Sequence, residues 1–289
     1  MRRPAVTGAQ NGRMDGRPVT LSLDVDTASV FDVYDELLVP LCFEPYANDL
    51  SARLRDVRDG AVLVVGCGTG VDTRSLAAAL PPSVAITATD IVPGMVERAQ
   101  RRGASRAVTW DLADALALPY DDATFDVVVC QFGAMFFSDK VAAFAEAARV
   151  LRPGGRLELA TWDRIQANDF GAAVADAMRE LFPDDPPVFL DRMPYSYHDV
   201  DVVAADLTAA GFEIPDGVER VRRRARAAAP EVVAAAFCGG TPLRDQLHAG
   251  GEDRFARALA GAARVVGGRF GSVDLVGTSS ALVATARTG

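Results

Sequence analysis

The stretch AVLVVGCGTG, residues 61–70, decides the fold. Ala61 to Val65 run without a polar residue, and a strand apolar on both sides belongs inside a parallel sheet. Glycines then stand at alternate positions, Gly66, Gly68 and Gly70. They allow a tight turn and a close approach of a ligand to the backbone. A loop of this kind at the carboxyl edge of a sheet holds nucleotide-like groups. A dinucleotide fingerprint would need glycine or alanine at position 71, which is Val71, and no Gly-Lys-Ser/Thr follows to make a P-loop.

Outward from this loop the pattern alternates. Val71 to Leu80 reads as a helix stopped by Pro81-Pro82. VAITATD (84–90) reads as a strand ending on Asp90, and residues 93–102 as a helix with Pro93 in its first turn. A short strand is expected at 107–110, and a buried one at FDVVVCQF (125–132). Ser138 is expected to cap a helix lined by Phe144, Ala147, Ala148 and Leu151. Arg152-Pro153-Gly154-Gly155 would end it before the strand RLELATW (156–162). Strands alternating with helices predict an α/β fold with a doubly wound, mostly parallel sheet.

Residues 28–57 read as helices with a break near Pro40. Past Trp162 the rhythm changes. Helices are expected at 168–182, at 200–210 with Gly211 as the C-terminal glycine, and at 230–238, 241–248 and 253–265. Strands are expected at 219–227 and 280–287. The domain reading is a flexible leader over 1–27, a cofactor-binding core with N-terminal helices over 28–162, and completion of the sheet over 163–289. Segments 163–198 and 229–268 would be inserted as a helical cap.

Composition narrows the function. The 289 residues carry 30 basic and 39 acidic side chains, a net charge of −9. Nucleic-acid affinity rests on lysine and arginine neutralising phosphates, so this balance argues against a nucleic-acid partner. No apolar run approaches the roughly 20 residues that span a bilayer, and no polybasic patch suggests a membrane surface. The first residues lack the apolar segment of a secretory signal. Cys42, Cys67, Cys130 and Cys238 are scattered without a CxxC pair, as expected in a reducing cytoplasm. Two histidines, His198 and His248, make no metal cluster, so no metal is expected.

Two carboxylates fit the glycine loop. Asp90 follows Gly70 by 20 residues, where a carboxylate accepts hydrogen bonds from ribose hydroxyls. Asp114, in the loop after the third strand, is placed to accept from an adenine amino group.

With these elements in order, VLVVGCGTG, TATDIVPGM, ADALALPYDDATFDVVVCQFG and RVLRPGGRLELATW resemble the four motifs of class I S-adenosylmethionine-dependent methyltransferases. The similarity is greatest to the small-molecule branch that includes the ubiquinone/menaquinone-biosynthesis enzymes. It covers residues 28–162 well, and AAGFEI (209–214) and the last strand more loosely. It implies a Rossmann-like seven-stranded sheet whose final strand, 280–287, is antiparallel, with the arginine-rich 219–227 as the edge strand outside that one. It also implies S-adenosyl-L-methionine as cofactor. Gly66, Cys67, Gly68 and Gly70 would cradle the methionine part, Asp90 the ribose, and Asp114 with Ala115 the adenine. Ile91 and Met95 would lie by the adenosine. Cys130, Gln131 and Phe132 would face the methionine and the transferred methyl group. The sequence departs from the family at Val64, where an acidic residue usually helps to hold the charged methionine end.

The acceptor implied is a small, apolar or aromatic metabolite of secondary metabolism, methylated on oxygen or carbon. A non-methylating protein on the same fold, cyclase-like or regulatory, is the alternative that Val64 suggests. The resemblance admits a homo-oligomer. Candidates for acid–base work are His198, His248 and Tyr34. Each has a plainer role to offer, as a helix-start surface residue, a helix C-terminal cation and a packing ring respectively.

Overall fold

The computed structural model describes residues 12–14, 17–19 and 23–289, so most of the expected leader lies outside the described residues. Strand β1 (Gly12–Met14) pairs antiparallel with β2 (Arg17–Val19). Helix α1 (Val30–Val33) begins at Ser29, whose hydroxyl accepts the Asp32 N–H at 3.2 Å. It runs through a π-helical stretch, Tyr34–Phe43, into α2 (Glu44–Arg53). The expected break at Pro40 is therefore absent. Proline lacks the N–H and crowds the carbonyl one turn back, and the wider π turn accommodates both.

The alternating region follows as β3 (Gly60–Val65), α3 (Val71–Ala79), β4 (Val84–Asp90), α4 (Pro93–Arg102), β5 (Thr109–Leu112) and β6 (Phe125–Gln131). Then come α5 (Lys140–Val150) and β7 (Leu151–Trp162). The cap of α5 is Asp139, not Ser138: its carboxylate accepts the Ala142 N–H at 2.9 Å. Strand β7 begins earlier than expected because Leu151 already pairs with Phe125. The register then shifts, and regular pairing resumes at Val127 and Arg156, with Gly154 at φ +73° inside the irregular stretch.

The remaining elements are α6 (Asp169–Leu181), α7 (Phe189–Arg192), α8 (Val200–Ala209), β8 (Phe212–Glu213), β9 (Val218–Ala227), α9 (Pro230–Gly239), α10 (Leu243–Ala249), α11 (Glu252–Phe270) and β10 (Leu275–Thr288). The large sheet runs β5-β4-β3-β6-β7-β10-β8, with β9 also paired to β10. It has eight strands where seven were expected: β9 pairs with β10 as the arginine-rich edge strand the sequence suggests, and the two-residue β8, paired with the end of β10, is the addition. Strands β3 to β7 pair parallel, and β10 lies antiparallel to β7. Val62, Leu63 and Val64 have no exposed surface, the burial their unbroken apolar run requires.

The chain forms two compact units. One holds the described residues up to Leu41 together with Ala173–Pro187 and Arg224–Gly277; the other holds Cys42–Ala172, Val188–Arg223 and Thr278–Gly289. In the first, α9 and α11 pack closely, with Gly267 beside the Pro230 ring and Gly261 against Leu181. In the second, the parallel strands and their crossover helices build the sheet edge described next. Among the described residues no helix is long and apolar enough to cross a membrane.

Candidate active site

The turn from β3 into α3 is the centre of the site. Gly66 and Gly70 hold φ of +71° and +84°, values that side chains resist. A Cβ on Gly70 would stand 2.8 Å from the Trp110 ring, and one on Gly66 would stand 3.4 Å from the Gly133 backbone. Space as well as torsion thus requires glycine at position 70, and torsion requires it at position 66. The loop is pinned to β4: the Cys67 N–H donates to the Thr89 carbonyl at 2.9 Å, and the Gly68 N–H donates to Asp90 Oδ2 at 2.8 Å.

Asp90 therefore works on the protein itself. Its Oδ1 accepts the Val92 N–H at 2.9 Å, which fixes the turn into α4. Burial pushes its carboxyl above the ordinary range, and the Val92, Gly68 and Ile91 amides pull in the opposite direction. A carboxylate has about four acceptor positions, so two backbone bonds leave it able to receive more. Ile91, just beyond, is 61% exposed, and Met95 is half-buried. Asp114 is exposed and accepts the Leu116 N–H at 2.9 Å, while Ala115 is buried. The Ala113 N–H reaches the Asp90 carbonyl at 3.1 Å, tying the Asp114 loop to the same strand end.

The end of β6 supplies the third side. The Cys130 thiol is buried and pushed up to about 12 by that burial, so it stays neutral. Gln131 is buried; its Nε2 donates to the Phe43 carbonyl at 3.4 Å, while Oε1 is buried without a hydrogen-bond partner. Phe132 takes φ +55°, a left-handed conformation costly for a ring-bearing residue. Its N–H donates to the Ala160 carbonyl at 2.8 Å, and its ring stacks on Trp162 with centroids 3.7 Å apart. Phe43 and Tyr46 meet both rings edge-on at 5.3–5.6 Å, and Tyr195 lies 6.0 Å from Trp162. The Tyr46 hydroxyl shares a 3.1 Å bond with Ser279 and donates to the Val221 carbonyl.

The cofactor candidates thus gather at the carboxyl ends of adjacent strands. The catalytic candidates do not. His198 lines a cleft of about 460 Å³ with Asp163, Arg164, Asp199 and Arg220, just past the end of β7. There Asp163 is buried, accepting from the Ser280 hydroxyl at 2.9 Å and facing Arg220 at 3.4 Å. Tyr34 and His248 belong to the other compact unit. His248, at the end of α10, stacks on Phe255 at 4.5 Å, and half-buried Tyr34 lies against the Gly240 backbone.

Two residues of this region escaped the sequence reading. Trp162 closes the last quoted motif, and its place at a strand end was the available signal. Asp72 stands in the first turn of α3 with 2% of its surface exposed; a charged residue on the buried side of a helix start was the signal there. Its carboxyl is pushed up to about 7, chiefly by burial, with the Thr73 amide and hydroxyl opposing. No metal-binding cluster occurs among the described residues.

Residues 62–155 match the family model described as a methyltransferase domain. The demethylmenaquinone methyltransferase of Deinococcus radiodurans is 37% identical over 127 residues, 42% of this chain and 51% of that protein. The 27-O-demethylrifamycin SV methyltransferase of Amycolatopsis mediterranei is 33% identical over 184 residues, 62% of this chain and 63% of that protein. The chain thus spans less than two thirds of either relative. Among solved structures, the [4+2]-cyclase SpnF superposes with a TM-score of 0.52 at 26% identity, covering 84% of this chain and 80% of that one.

Proposed function

We propose that the protein is an S-adenosylmethionine-dependent methyltransferase acting on a small apolar or aromatic metabolite, at oxygen or carbon. The observation that carries this reading is the hydrogen bond from the Gly68 amide to Asp90. It joins the glycine loop and the acidic strand end into one cradle, inside the segment that matches the methyltransferase domain.

The residues fit the cofactor. Gly66 and Gly70 hold left-handed turns that side chains resist, Asp90 retains acceptor capacity, and the buried Gln131 Oε1 awaits a donor. In this reading the Gly66–Gly70 backbone with Cys67 and Gln131 holds the methionine end. Asp90 holds the ribose, Asp114 and the Ala115 amide hold the adenine, and Ile91 and Met95 flank the adenosine. When bound, the cofactor supplies an electrophilic methyl group. Holding an acceptor in line with that group, in a site that excludes water, accounts for most of the rate. Phe132 and Trp162, packed with Phe43, Tyr46 and Tyr195, form an aromatic cluster at the end of β6 whose burial suits an apolar site. Of the three catalytic candidates only His198 shares a compact unit with the glycine loop, and it is the residue we assign as a base for an acceptor hydroxyl or carbon acid. We place the reaction in the cytoplasm, because all four cysteines are free and buried. The net charge of −9 favours a small-molecule acceptor over nucleic acid.

A second reading, a cyclase-like protein that does not methylate, is favoured by Val64 and by the likeness to the [4+2]-cyclase. Calorimetric titration with S-adenosylmethionine and S-adenosylhomocysteine, followed by turnover with a panel of phenols and enols, separates the two. Binding with turnover supports the methyltransferase. Binding without turnover favours the cyclase-like reading, and no heat with either cofactor form at millimolar concentration overturns the methyltransferase reading.

A further inference from the structure

Val64 leaves a question about the charge of the bound ligand. It is fully buried in β3, so the strand under the glycine loop offers no carboxylate to a cationic group. A carboxylate nevertheless sits close by. Asp72 lies two residues past Gly70, in the first turn of α3, and is almost wholly buried. Its Oδ1 accepts the Thr73 N–H at 2.6 Å and the Thr73 hydroxyl at 3.2 Å. Among the described residues it forms no ion pair. Arg74, on the same helix, turns its guanidinium to the Thr69 carbonyl at 2.6 Å. A buried charge without a counter-ion is costly, and a helix N-terminus offsets only part of that cost.

The second observation comes from the neighbouring strand. Extending the register that pairs Val62 with Val127 and Val64 with Val129 sets Gln131 beside Gly66. Its Oε1 is the buried acceptor without a donor. A buried carboxylate lacking a cation and a buried carbonyl lacking a donor flank one loop. What satisfies both is a cationic donor with several N–H groups, which is an ammonium.

We propose that Asp72, with Gln131 Oε1, receives the α-ammonium of the amino-acid end of the bound cofactor, taking over the charge that Val64 cannot supply. This rests on the cofactor reading above. The titratable and charged groups facing Asp72 are Arg74 on its own helix, Cys67 in the loop, Asp90 at the end of β4 and Cys130 at the end of β6. Both thiols are pushed up by burial and stay neutral. Asp72 is therefore the group whose proton is displaced when an ammonium arrives.

The test compares two probes, S-adenosylhomocysteine and 5′-methylthioadenosine, which share the adenosine and thioether but differ in the amino-acid end. Asp72→Asn is expected to weaken S-adenosylhomocysteine binding at least tenfold at pH 8 and to leave methylthioadenosine binding within twofold. Gln131→Leu is expected to act in the same direction more weakly. In the wild-type protein, calorimetry in buffers of different ionisation enthalpy should show proton release near pH 7 with S-adenosylhomocysteine and none with methylthioadenosine. That measurement needs no variant, so a failure of Asp72→Asn to fold leaves the proposal open to refutation. Equal losses for both probes, or unchanged S-adenosylhomocysteine affinity, overturn the proposal and leave the cofactor reading standing. A wild-type protein that binds neither probe overturns the cofactor reading and this proposal with it.

Discussion

The edge of the sheet around the glycine loop and the packed pair α9 and α11 bury their residues in opposite ways. At the sheet edge polar groups are taken out of water: Asp72, Gln131 and Thr89 are all buried. Non-glycine backbone is also held left-handed there, at Phe132. In the helix pair burial falls on small apolar side chains, such as Val233, Ala236, Ala258, Ala262 and Val266. Most charged residues of α11 stay near the surface, as in the exposed Arg264–Glu180 pair at 2.9 Å, while the largely buried Arg254 pairs with Asp185 at 2.8 Å. Close packing of apolar groups stabilises a fold, whereas a buried, unpaired carboxylate destabilises it. The sheet edge is therefore the region where stability is lower than it would otherwise be, and a ligand supplies what is missing.

The sharpest way to break that contrast is Asp72→Asn read as stability. The Asp72 carboxyl has an ordinary value of 3.8 and is held at about 7 in the folded protein. The unfolded chain thus loses this proton first, and the folded state loses stability as pH rises from about 4 to about 7, by about 4 kcal/mol at most. Urea unfolding at pH 8 should find Asp72→Asn more stable than wild type by up to about 4 kcal/mol. The gap should close as pH falls below about 4, where both states become protonated. A gap that does not change with pH would show that the carboxylate is not the cause.

Next in size is Asp90→Ala, which removes a charged acceptor from the loop and, in the proposed reading, from the cofactor's ribose. Its S-adenosylhomocysteine affinity should fall by about 1.5–3 kcal/mol, measured calorimetrically. An unchanged affinity would remove Asp90 from the site.

In the helix pair Gly261→Ala places a methyl group against the Leu181 side chain. Overpacking costs about 1–3 kcal/mol, and the helical preference of alanine over glycine returns about 0.5–1 kcal/mol. The net loss, about 1 kcal/mol, should appear in the urea midpoint. A gain in stability would mean that Leu181 moves aside freely.

The smallest effect is expected from Arg264→Ala. The partners are 60% and 59% exposed, and such surface pairs contribute under about 1 kcal/mol. A loss above 2 kcal/mol, measured in the same way, would mean that charge matters to the helix pair as it does to the sheet edge.

What could be read from the sequence follows the range of each signal. The run Ala61–Val65 and the three alternate glycines are local, and they located β3, its burial and the turn into α3. Asp90 was legible because its distance along the chain from the loop follows from one helix and one strand. Pro40 was misread because the local rule for proline takes no account of a π turn that absorbs it. The cap at Asp139 was missed because Ser138 and Asp139 are both good caps, and only backbone geometry chooses between them.

The sequence by itself determined the α/β class, the order of the parallel strands and the loop chemistry, because each is set by neighbours a few residues apart. Tertiary structure alone decided the rest. It brought the Tyr46 hydroxyl to Ser279, 233 residues away, and added the two-residue β8 to the ladder through β10. It also buried Asp72 without a cation and left Gln131 Oε1 without a donor. Burial and pairing of this kind depend on which distant segments pack over a residue, and a local pattern carries no record of them.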